Sequence, residues 1–229
     1  MSKLINRWLA SGWTRPVWFL ASCLPVAWLV FAAFHEQLGA NPAEALLRST
    51  GDWTLRALCL VLAITPLRTV FGITALARLR RMAGLFVYFY AVLHLLSYSW
   101  FDMGFDLTDI AKDIAKRPFI LVGFGAFVLL TPLALTSFNR AIKALGGKRW
   151  QALHRLVYAV AVLAVLHFFW MRAGKNNFAE VAVYALILGG LLGWRLLRRL
   201  RGLSLWTRLP NRWFGRQVER PGLAAGREI

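Results

Sequence analysis

Long apolar runs, broken by short polar and mostly basic stretches, dominate the chain. Crossing a hydrocarbon core of roughly 30 Å takes about 20 residues at 1.5 Å of helical rise each. Six runs meet that length, at 17–34, 53–71, 83–101, 118–136, 151–170 and 179–197. In lipid every backbone amide and carbonyl needs a partner within its own segment, so such runs form helices. The pattern predicts an all-α membrane protein, a six-transmembrane-helix bundle, with residues 1–16 ahead of it and a basic tail over 198–229 behind it. Trp53, Trp100, Trp150 and Trp170 stand where an aromatic belt belongs. Pro118 suits a first helical position, which needs no amide donor, and Pro66 and Pro132 are expected to kink or end their helices. The first run follows Lys3, Arg7 and Arg15 as a signal peptide would. No small-residue cleavage site follows it, which predicts an uncleaved anchor.

Composition narrows the class further. The chain is 59% hydrophobic, whereas soluble domains hold about 45–50%, so a soluble globular domain is excluded. Against this stand 28 Lys and Arg and only 10 Asp and Glu, and they are sorted by side. With the N-terminus inside, most basic residues fall before the first helix, around the second-third and fourth-fifth loops, and after Arg195. Glu36, Glu44, Asp52, Asp102, Asp106, Asp109, Asp113 and Glu180 fall on the other side. This bias predicts both termini in the cytoplasm, N-in/C-in. The net charge of +18 is thus a topology signal, and no nucleic-acid partner is expected. Cys23 and Cys59 lie inside apolar runs and form no CxxC pair, which argues against a disulfide framework or thiolate metal site. The tail's arginines, with Leu205, Trp206, Trp213 and Phe214, suit either an anionic lipid surface or a plain basic stop signal.

The candidate chemistry lies in histidines, because an ionisable residue within the bilayer is costly. His94, His154 and His167 fall inside predicted helices, and His35 at an outer helix end reads as an interface residue. Paired axial imidazoles on a haem give a six-coordinate iron suited to electron transfer. His154 and His167 are separated by roughly 20 Å of rise and cannot share one iron. His94 and His167 differ in depth by about 8 Å, His94 and His154 by about 12 Å, which favours the first pair. At 100° per residue His154 and His167 point about 140° apart, so one cleft would need a distorted helix. Arg80 and Arg81 lie near the depth of His154 and suit a haem propionate or a flavin phosphate. Taken singly, each histidine could equally bond a neighbouring helix. The aromatics near His94 and His167 could line a porphyrin or simply pack, and Gly123, Gly125, Gly189, Gly190 and Gly193 read as close helix approach. No GxGxxG or Walker loop is present, so electrons must come from a source other than a bound nicotinamide.

The stretches TGDWTLRALCLVLAITPLR (50–68), RRMAGLFVYFYAVLHLLSY (80–98), TPLALTS (131–137) and WQALHRLVYAVAVLAVLHFFW (150–170) carry a resemblance. Together they resemble the haem-binding membrane subunits of bacterial protein-methionine-sulfoxide reductases, within the ferric reductase-like transmembrane group. The resemblance implies haem b, one or two per chain, on His94, His154 and His167. It also implies electrons drawn from the quinone pool, an FMN cofactor, and a periplasmic molybdopterin partner that reduces methionine sulfoxide in oxidised proteins. The wider group has two histidines on the third helix, whereas this chain has His94 alone, with Arg80 and Arg81 near the second position. The loop from Asp102 to Arg117 is a candidate docking surface for the partner, with a plain exposed, solvated loop as the alternative. Rival readings are a ferric or cupric reductase acting alone and a haem-free transporter whose histidines line a substrate path.

Overall fold

A computed structural model describes residues 2–173 and 178–207 of the chain. Most of the expected tail over 198–229 lies outside the described residues. Met1–Leu192 form one compact unit and Gly193–Ile229 a second. In the second, the Arg198 guanidinium lies 4.9 Å from the centre of the Trp194 ring.

The described elements are helical throughout. They are α1 (Ser2–Leu9), α2 (Thr14–Phe34), α3 (Pro42–Phe71), α4 (Arg80–Ser97), α5 (Leu107–Lys116), α6 (Pro118–Leu135), α7 (Asn139–Leu145), α8 (Gly147–His154), α9 (Val157–Ala173) and α10 (Ala179–Thr207). A 3₁₀ turn over Thr74–Arg78 leads into α4, and a π-helical turn over Tyr98–Asp102 ends it. Among the described residues six segments are long and apolar enough to span a bilayer: Thr14–Phe34, Pro42–Phe71, Arg80–Asp102, Pro118–Leu135, Gly147–Ala173 and Ala179–Arg201. The six-helix expectation stands.

The core is built by α3 against α4 and by α6 against α9. Leu55, Leu58, Val61, Leu62 and Ile64 of α3 meet Ala83 and Val87 of α4, Leu130 and Leu133 of α6, and Val160 and Ala161 of α9. The outer faces stay apolar: Leu24 and Trp28 of α2 and Leu186 of α10 are exposed. Lipid tails solvate such side chains as well as a protein interior does, so helices in a membrane have no drive to bury them. Cys23 and Cys59 are free thiols, and Cys59 packs against the core.

Three elements differ from their expected bounds, each for a local reason. Helix α3 starts well before residue 53, because Pro42 opens it and the Asn41 side chain accepts the Glu44 amide at 3.1 Å. Glu44, Arg48 and Asp52 in its first turns hide this extension from a hydropathy reading. The expected loop from Asp102 to Arg117 contains α5, capped by the Asp106 carboxylate accepting the amides of Thr108 (2.8 Å) and Asp109 (3.0 Å). The fifth span is two helices. At their junction the amides of Arg155 and Leu156 reach back three residues, to Ala152 (3.2 Å) and Leu153 (3.0 Å). This tighter winding removes the ideal-helix premise behind a 140° separation of His154 and His167.

Ahead of the bundle, α1 latches onto the α3–α4 connection. Asn6 donates to the Gly72 carbonyl (2.8 Å) and accepts the Ala75 amide (3.0 Å), while Arg78 donates to the Ala10 carbonyl (2.6 Å). Gly72 itself sits at φ 68°, the left-handed conformation that ends α3.

Candidate functional site

His94 projects from α4 and His167 from α9 into one cavity of about 510 Å³. Their ring centroids lie 6.2 Å apart and the rings are nearly perpendicular, at 77°. Two imidazoles on opposite sides of one metal have centroids roughly 6 Å apart when each metal–nitrogen bond is near 2 Å. The observed separation equals that distance, and it is also that of an ordinary edge-to-face ring contact.

Both rings are held in the same way. The His94 Nδ1 lies 2.9 Å from the Leu47 carbonyl, and the His167 Nδ1 lies 2.6 Å from the Phe119 carbonyl. A carbonyl only accepts, so each Nδ1 donates and each Nε2 keeps its lone pair for a metal. Leu47 and Phe119 sit one helical turn before Gly51 and Gly123 respectively. A β-carbon at Gly123 would fall 2.7 Å from the His167 Nδ1 and 2.8 Å from its Cε1. At Gly51 it would fall 3.0 Å from the His94 Cε1 and 3.2 Å from its Nδ1. The ring can bond the carbonyl only because the residue one turn on has no side chain. At Gly123 the close approach is made by an imidazole and not by the helix expected there, and Gly189, Gly190 and Gly193 have nothing within 4 Å of such a β-carbon. Gly125 has nothing within 4 Å of such a β-carbon.

The rest of the cavity suits a flat amphiphile. Leu55, Leu58, Val87, Ala126, Leu130 and Val160 line it deep in the bundle, and Arg48, Asp52, Asp102, Arg117 and Arg172 line it towards the opposite end. Sequence reasoning missed Gly51, the two carbonyls and these arginines. The findable signal was a glycine on a neighbouring helix at the depth of each histidine.

His154 is elsewhere. It does not line the cavity. Its Nδ1 lies 3.1 Å from the Trp150 carbonyl, its ring stacks on Trp150 with centroids 3.9 Å apart, and its Nε2 is 3.5 Å from the Ser137 hydroxyl. Trp150 in turn donates to the Thr136 carbonyl at 2.9 Å. Arg80 and Arg81 are exposed at the start of α4, where Arg81 donates to the Asn139 side chain at 2.7 Å. Neither lines the cavity. His35 is exposed and stacks on Phe31 with centroids 3.9 Å apart.

Residues 50–165 match the family described as the ferric reductase like transmembrane component. A protein of Polaromonas naphthalenivorans, named protein-methionine-sulfoxide reductase heme-binding subunit MsrQ, is 70% identical over 191 residues, 83% of this chain and 87% of its own length. The chain belongs to the MsrQ branch of the ferric reductase-like transmembrane family. Proteins of the same name from Herminiimonas arsenicoxydans and Rhodospirillum rubrum are 55% and 49% identical, over 76% and 80% of this chain and 80% and 87% of theirs. No solved structure matches. The family match contains His94, His154, Gly51 and Gly123 and stops at residue 165, ahead of His167. The closeness of His167 to His94 is therefore a finding of the geometry alone.

Proposed function

We propose that the chain is a b-type cytochrome subunit of a methionine sulfoxide reductase system, holding a haem between His94 and His167. One observation carries this reading: two imidazoles 6.2 Å apart across a cavity, each with its Nδ1 hydrogen on a helix carbonyl. The relatives' names, heme-binding subunits of protein-methionine-sulfoxide reductases, support it. When bound, a haem with two histidine ligands supplies one-electron exchange with no open position for oxygen.

The chain's own residues do the rest. Leu47 and Phe119 fix the tautomers through their carbonyls, Gly51 and Gly123 admit the rings, and the apolar floor keeps water from the metal. The charge bias puts the basic end of the bundle in the cytoplasm and the mouth of the cavity at the periplasmic side of a bacterial inner membrane. Electrons then enter from the quinone pool near the basic end, where His154, Arg80 and Arg81 form the site for a second haem or for the phosphate of FMN. They leave at the mouth, to a periplasmic molybdopterin methionine sulfoxide reductase that repairs oxidised proteins. The methionine sulfoxide chemistry belongs to that partner, and α5 at the mouth is the docking surface.

The test is the visible spectrum of the detergent-purified protein, oxidised and dithionite-reduced, with a pyridine haemochrome assay of haem per chain. A low-spin b-type spectrum is expected. A folded, haem-replete preparation without colour would defeat the reading.

A further inference from the structure

Three arginines from separate parts of the chain line the haem cavity, and all lie on one side of the histidine pair. Arg48 precedes Gly51 by three residues on α3, Arg117 precedes Phe119 by two at the start of α6, and Arg172 follows His167 by five on α9. At 1.5 Å per residue Arg117 stands about 3 Å nearer the mouth than Phe119 and Arg172 about 8 Å nearer than His167, while Arg48 stands about 4–5 Å nearer than Gly51 and close to the level of Leu47. α3 and α6 run away from this rim and α9 runs towards it, so two arginines at helix starts and one at a helix end converge there. The opposite pole of the cavity carries leucine, valine and alanine.

All three guanidiniums are anchored. Arg48 pairs with Glu44, Arg117 Nε with the Asp113 carboxylate at 2.9 Å, and Arg172 with Glu180. Asp113 is itself held by the Tyr98 hydroxyl at 2.8 Å, and the Arg172 guanidinium lies 5.3 Å from the centre of the Phe168 ring. An arginine has five N–H donors in a planar fork, so one carboxylate leaves others free to meet a second. Arg172 is the most enclosed of the three, with its side chain 16% exposed against 44% for Arg48 and 56% for Arg117.

We infer that Arg172 and Arg117, with Arg48 at the edge, bind the two carboxylates of the haem and fix its propionate edge towards the mouth of the cavity. This inference rests on the haem reading above and adds an orientation to it. The apolar edge of the porphyrin lies between α3, α4, α6 and α9, and the charged edge faces the side where the electron leaves. It also separates two arginine groups. The cavity arginines serve the haem of His94 and His167, whereas Arg80 and Arg81 stand away from that cavity.

The experiment uses the full chain, freed of haem for the uptake step and haem-loaded for the transfer, spectral and potential measurements. Incubated with equal amounts of protohaem and its dimethyl ester, the unmodified protein should take up the free acid in preference by on the order of tenfold, since charge-assisted hydrogen bonds are lost on esterification. In Arg117→Gln/Arg172→Gln the preference should vanish and haem transfer to an excess of a haem-scavenging globin should quicken on the order of tenfold. The low-spin spectrum before transfer should be unchanged. The haem midpoint potential should fall, because a cation that favours the reduced, more negative centre is gone. Arg172→Lys should lie between, and Arg56→Gln, outside the cavity, should match the unmodified protein. Equal uptake of ester and free acid by the unmodified protein overturns the clamp without use of any variant. So do unchanged transfer and potential in the double variant. Absence of any low-spin haem in the unmodified protein would instead defeat the haem reading itself.

Discussion

At Gly123, the fit of one imidazole depends on a missing methyl group. Its hypothetical β-carbon meets the His167 ring at 2.7 Å, inside any real carbon–nitrogen contact, whereas at Gly51 the closest approach to His94 is 3.0 Å. The substitutions should therefore rank. Gly123→Ala is expected to displace His167 and lose most of the haem, Gly51→Ala to lose part of it or broaden its spectrum, and Gly125→Ala to change nothing. Haem per chain by pyridine haemochrome decides the order, and equal retention in all three would show that the rings do not depend on these glycines. His154→Ala should leave the spectrum of the His94 and His167 haem in place, because its ring packs on Trp150 outside the cavity. That His94 and His167 meet was legible in the sequence, since an intramembrane histidine is rare and depth can be counted along a helix. The glycines as ring sites were not, because a glycine in an apolar run reads the same whether it faces a helix, a lipid or an imidazole.

Among the elements, the six spans were legible because backbone in lipid leaves no alternative to long apolar helices. Their ends were not where capping or charge overrode hydropathy. The first turns of α3 carry Glu44, Arg48 and Asp52 and still form helix, because Asn41 and Pro42 start it. This segment supplies the carbonyl that orients His94. Helix α5 was hidden in a charged loop, where the Asp106 cap marks its start. Asp106→Ala removes two amide acceptors and should cost about 1 kcal/mol of local stability. Hydrogen exchange should rise within α5 and stay unchanged in α9; protection unaffected in α5 would mean that its packing, not its cap, holds it. At the other end Asn6→Ala breaks both bonds to the α3–α4 connection, about 1 kcal/mol each. Limited proteolysis of the first ten residues should then quicken without loss of haem.

Across the molecule, charge and cavity give one direction. The basic loops gather at the end where α3 meets α4 and α6 meets α8, and the cavity's charged rim lies at the other. A cysteine introduced at Thr108 should react with a membrane-impermeant maleimide in intact cells, while one at Lys143 should react only after the cells are opened. Cys23 and Cys59 lie within membrane spans and should contribute little background. The reverse pattern would invert the proposed path of the electron. The proposed electron path depends on one iron held between α4 and α9. The most direct measurement is the reduced-minus-oxidised spectrum and haem content of folded His167→Ala, set beside the unmodified protein. Loss of most of the haem absorbance is predicted, and full retention of a low-spin spectrum would contradict the pairing of His94 with His167.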